Sequence, residues 1–162
     1  METWQTYGVI CGGIAGALLG LLFVAVSIRV DVIGRSPELR NRAAQTLALF
    51  LVPALAGLVF GLPAQPLIAA GIEFAVVAVA TAVAFVVLDH RAGMAVRGSG
   101  LSRLLDVTAP RTATCVIVAV GAALLIAGLP AGAYVVAFGT VIAIVGGVVS
   151  AWLFLIRIPA SA

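Results

Sequence analysis

The sequence predicts an all-α protein, a polytopic bundle of five transmembrane helices with its N-terminus outside and its C-terminus inside. Three observations carry that prediction. Hydrophobic residues make up 64% of the 162 residues and charged residues 9%, and the mean hydropathy is +1.28. Soluble domains carry roughly 45–50% apolar and about 25% charged residues, so a soluble fold is excluded. Five apolar runs, nearly free of charge, each approach the ~20 residues that cross a hydrocarbon core. Finally, the nine basic residues are all arginine, and every one falls in an alternate connection or at the chain end. The length allows one bundle, residues 1–162.

Span 1 covers about 7–28 and contains Gly8, Gly12, Gly16 and Gly20 at four-residue spacing. In water each helical glycine costs about 1 kcal/mol relative to alanine. In a bilayer the backbone satisfies its hydrogen bonds only as a helix or a closed barrel, so the helix forms regardless. The four glycines are then expected to stack on one face, as a zipper against which another backbone lies close. The N-terminal stretch lacks a basic n-region and its apolar run exceeds a signal-peptide h-region, so it is expected to be a retained span.

Spans 2 and 3 cover about 43–62 and 67–88, joined by the breaker-rich turn Pro63-Ala64-Gln65-Pro66. Pro53 removes a backbone donor within span 2 and is expected to kink it. Spans 4 and 5 cover about 112–129 and 133–156, joined by Pro130-Ala131-Gly132. Small residues recur at four-residue spacing at Gly57 and Gly61, and at Gly139, Ala143, Gly147 and Ala151. Gly61-Leu62-Pro63-Ala64 returns as Gly128-Leu129-Pro130-Ala131. Either the two hairpins are a parallel repeat, or two Ala/Val/Gly-rich hairpins share a turn sequence by chance. The connection 89–111 includes Leu101-Ser102-Arg103-Leu104-Leu105-Asp106-Val107, readable as a surface amphipathic helix or as a solvated loop. Trp4, Tyr7, Tyr134 and Trp152 sit near span ends and fit interfacial anchoring.

The arginines set the orientation. Arg29, Arg35, Arg40 and Arg42 lie in the first long connection, and Arg91, Arg97, Arg103 and Arg111 in the second, while Arg157 follows span 5. Positive-inside bias places both connections and the C-terminus on the inner side.

Few residues are equipped for chemistry. Glu73 lies about 9 Å into span 3 at ~1.5 Å per residue. An intramembrane carboxylate is expensive and is a candidate ion or proton site; the alternative is a structural hydrogen bond or a snorkelling group. Arg29 with Asp31, and Asp89 with Arg91, end spans 1 and 3 and are expected to form snorkelling or local ion pairs. His90 is the sole histidine, and Cys11 and Cys115 fall in different spans. Both cysteines read as small packing residues. Neither Ser27 nor Ser150 lies in a Gly-x-Ser-x-Gly elbow, and Gly98-Ser99-Gly100 lacks a phosphate loop's lysine. The expectation is no enzyme, no metal, no cofactor and no nucleic acid.

The stretch from Gly16 to Ile28, followed by Leu39-Arg40-Asn41-Arg42-Ala43-Ala44-Gln45-Thr46-Leu47, resembles a group of small uncharacterised multi-spanning membrane proteins of actinobacteria. The resemblance extends over spans 1 to 3, including the Pro-Ala-Gln-Pro turn and Glu73. It implies a multi-pass protein of a bacterial inner membrane and brings no activity, substrate or cofactor with it.

Two functions remain open at this point. The first is a non-enzymatic accessory, regulatory or self-associating helix bundle, with the lipid bilayer and a second copy or another membrane protein as partners. The second is a small oligomeric channel or transporter using Glu73.

Overall fold

The computed structural model describes residues 4–93 and 109–156. Among these residues the regular elements are all α-helices: α1 Gln5–Ile28, α2 Val30–Arg35, α3 Pro37–Gly61, α4 Leu67–Gly93, α5 Ala109–Ile126 and α6 Ala131–Ile156. Four helical stretches, Gln5–Ile28, Leu39–Gly61, Leu67–His90 and Ala131–Ile156, are long and apolar enough to cross a membrane. The fifth predicted span falls on α5, whose apolar part, Pro110–Ile126, is shorter. The segment 101–107 lies outside the described residues.

Local chemistry explains where the helices depart from the hydropathy pattern. The chain breaks after α1 at Arg29 (φ −115°, ψ 25°), and the short α2 follows. Ser36 then caps α3, its Oγ accepting the Leu39 N–H at 3.4 Å, with Pro37 in the first turn. A serine cap followed by proline is a strong start signal, so α3 begins well before the apolar run at 43. At the other boundary α5 stops at Ile126, short of the predicted 129. Gly128 (φ +79°) turns the chain left-handed, its N–H bonds Leu125 O at 3.0 Å, and the Leu129 N–H bonds Leu124 O at 2.9 Å. That pair of bonds is a Schellman stop.

The repeated Gly-Leu-Pro-Ala tetrapeptide folds in two ways. Gly61 is the last residue of α3, Leu62 is extended, and Ala64 takes the positive φ of 50°. In the second copy the glycine itself carries the positive φ, and Ala131 already opens α6.

Helices α3, α4, α5 and α6 form a closed ring, each packed against the next and α6 back against α3. Helix α1 lies outside the ring, against α3. Of the most apolar stretch of α3, 61% is buried, against 17% for α1, so α3 is the element around which the others gather. The core is filled by Leu49, Val52, Phe60, Phe74, Val118, Leu125 and Val136. Gly132 on α6 meets Gly121 and Leu125 on α5, and Gly71 on α4 meets Ile126 and Ala122; backbones approach there because no side chain intervenes. At the end holding the first arginine-rich connection, Ile33 of α2 joins Ala43 and Phe154 in a second apolar cluster. The two ends of the bundle are called here the arginine end and the turn end.

Candidate functional site

The glycine series of α1 does not form one face. Gly8 and Gly12 lie on α3: a Cβ at Gly8 would stand 2.7 Å from Gly57 O, and one at Gly57 would stand 2.7 Å from Gly12 Cα. At Gly12 the same atom would meet Gly57 Cα at an ordinary 3.6 Å. Gly16 and Gly20 have no such neighbour within 4 Å, and neither does Gly13. The expectation of a single four-glycine packing face is corrected accordingly. Four residues advance a helix by about 400°, so a four-residue stripe drifts roughly 40° per step and roughly 120° from Gly8 to Gly20. The face that stays on α3 is Gly8, Cys11, Ala15 and Leu22, all buried, at the 3-4-7 spacing that holds one side of a helix. Cys11 Sγ points at the carbonyl of the fully buried Pro53, 3.8 Å away. Gly13, Gly16, Ala17 and Gly20 are exposed, flanked by Val9 and Val24. They make a smooth outward strip.

The turn end of α1 is fastened by aromatic residues. Trp4 stacks on Phe60 at 5.2 Å and meets Tyr134 edge-on at 4.7 Å. The Tyr7 hydroxyl lies 2.6 Å from Thr140 Oγ1 and 3.0 Å from Ala137 O. Three residues predicted as separate interfacial anchors thus join one cluster, while Trp152 stays exposed.

Glu73 is half-buried, and its Oε2 accepts a hydrogen bond of 2.7 Å from Gln65 Nε2 in the α3–α4 turn. The other amide atom, Gln65 Oε1, is buried and has no partner among the described residues. A buried acceptor left unmade costs about 1–3 kcal/mol. Among the described residues no group of three or more acidic, histidine or cysteine side chains gathers to hold a metal.

The arginine end holds a polar network that the sequence did not reveal. Arg111, at the start of α5, is buried. Its Nη2 donates to Gln45 Oε1 at 2.7 Å, its Nη1 lies 3.4 Å from Asp89 Oδ1, and the guanidinium sits 5.6 Å from the Phe85 ring centre. Gln45 Nε2 closes the triangle on Asp89 Oδ1 at 2.8 Å. Asp89 was expected in a local pair near His90 and Arg91; instead it bridges α3, α4 and α5. Arg91 belongs to α4, and its side chain lies outside the described residues. Arg29 is half-buried at the α1–α2 break, and Asp31 is exposed in the first turn of α2.

Together these residues fasten helices, hold one carboxylate half-buried beside an amide whose oxygen has no partner among the described residues, and leave one face of α1 open. No family model matches the chain, and neither a curated protein nor a solved structure matches it.

Proposed function

We propose that this protein is a non-enzymatic, multi-pass bundle of a bacterial inner membrane that works by association, through the outward face of α1. One observation carries the reading: Gly13, Gly16 and Gly20 leave that face open, with no neighbouring atom where a side chain would start. Small residues exposed to lipid allow a second helix close enough for dispersion and weak backbone contacts to hold it. The partner is a second copy, or another membrane protein to which this chain is an accessory or regulatory subunit. The reading takes α5 as a fifth crossing: its 18 residues extend about 27 Å at ~1.5 Å each, near the ~30 Å of a hydrocarbon core. With the arginines inside, the arginine end is cytoplasmic and the turn end external. The resemblance to small actinobacterial membrane proteins fits this placement.

The test is the mass of the protein in detergent and in nanodiscs, by light scattering, for Gly16→Leu combined with Gly20→Leu. The larger species should be lost while thermal stability stays unchanged, because both positions are open. An unchanged mass overturns the proposal.

A second reading, a small oligomeric channel or transporter with Glu73 as its proton or cation site, is favoured by the orphaned Gln65 Oε1 beside that carboxylate. It predicts cation or proton flux into proteoliposomes that Glu73→Gln abolishes. Absence of flux with the unaltered protein counts against it.

A further inference from the structure

The α1–α2 arm touches α6 at its two ends. Tyr7 meets Thr140 near the turn end, and Ile33 of α2 joins Phe154 at the arginine end. Between them α1 and α6 stand apart and leave a groove of about 230 Å³. Leu18, Leu22 and Ala25 of α1 form one wall, Ala151 and Trp152 of α6 the other, and Phe50 of α3 lies behind them. The lining is apolar throughout, which excludes a polar ligand and suits a flexible hydrocarbon chain. No charged residue lines the groove. Arg29 follows Ala25 by one turn on the strip that carries Leu18 and Leu22, and Arg35 is exposed at the end of α2. The connection 29–42 that begins there carries four arginines against Asp31 and Glu38, a net positive charge. Trp152, exposed on the rim, has the amphipathic ring that sits at headgroup depth.

We infer that this groove holds one acyl chain of an anionic phospholipid, with its phosphate at Arg29. The match is of charge as well as shape: an apolar slot that opens beside a net positive mouth. The site is independent of the association face, since Leu18, Leu21 and Ala25 lie roughly 140° round the helix from Gly13, Gly16 and Gly20 at about 100° per residue. Either can fail without the other.

The test counts lipid bound to the detergent-purified full chain by native mass spectrometry, titrating dioleoyl-phosphatidylglycerol against dioleoyl-phosphatidylcholine. One phosphatidylglycerol per chain should be retained, with about fivefold preference, the ratio that corresponds to the ~1 kcal/mol of one arginine near an anionic lipid. Arg29→Gln should bring the two lipids to near parity, and Ala151→Trp, which fills the slot, should lose both. Equal retention of the two lipids by the unaltered protein overturns the inference. So does full retention by Ala151→Trp, and so does a changed assembly mass in that variant with lipid unaffected, because the occupant is then a second copy. Should Ala151→Trp fail to fold, a photoactivatable acyl phosphatidylglycerol on the unaltered protein decides. Adducts should concentrate in 18–25 and 148–155; an even spread over Val76 and Val83 of α4 overturns the site.

Discussion

Gly57 shows how much one position can carry. It faces Gly8 and Gly12 so closely that any side chain must part the two helices. Gly57→Ala should therefore lower the thermal unfolding temperature clearly. Gly20→Ala should leave it unchanged or raise it, since an open helical glycine gives up as much as about 1 kcal/mol to alanine. Equal effects of the two substitutions would refute the assignment of faces. Asp89 carries a different weight. It accepts from both Gln45 and Arg111, and although its side chain is 57% exposed, Arg111 is only 9% exposed. Asp89→Ala should cost about 2 kcal/mol, the range of hydrogen bonds to charged groups. Adding Arg111→Met should recover part of that loss, because a buried unpaired cation is removed with it. Glu73 was legible in the sequence from its charge in an apolar run. The Gln45–Asp89–Arg111 triangle was not, because its members come from three helices and each alone looks like an ordinary interfacial residue.

At the level of the helices, hydropathy located the bundle's long elements, since a run of apolar residues near bilayer length is its own signal. Their ends were set by other chemistry: the Ser36-Pro37 start and the Gly128 stop override the apolar pattern by several residues. The same holds for the faces. A stripe of glycines is visible in the sequence, but its drift around the helix decides which glycines meet α3. The two copies of Gly-Leu-Pro-Ala give a direct comparison. Gly128 is left-handed, and alanine there should cost about 1 kcal/mol; Gly61 is helical and open, so Gly61→Ala should be close to neutral. The pair of unfolding curves would show whether the turns are physically equivalent, and matching losses would contradict the two conformations described.

For the molecule as a whole, the ring α3–α6 is closed by its own contacts, and α1 is an outlier held by one neighbour and one aromatic corner. Orientation is a property of the arginines and the bilayer together, so it is tested with both present. Ala131→Cys, at the exposed start of α6, should react with an impermeant thiol reagent from outside intact cells; protection there would invert the topology. The proposed association is less legible than the fold for a simple physical reason. A fold is encoded by surfaces that meet within the chain, whereas a docking face is encoded by one half of a pair.

The Tyr7–Thr140 contact also bears on biosynthesis. Its two residues are 133 positions apart, and Thr140 belongs to α6, so this contact cannot form until the helices between them have been inserted. Until α6 arrives, the phenol of Tyr7 has no Thr140 to meet and the turn end of α1 is held by α3 alone. Helix α1 is thus fastened in two stages, along its length by α3 and later at Tyr7 by α6, and a chain interrupted before α6 has only the first.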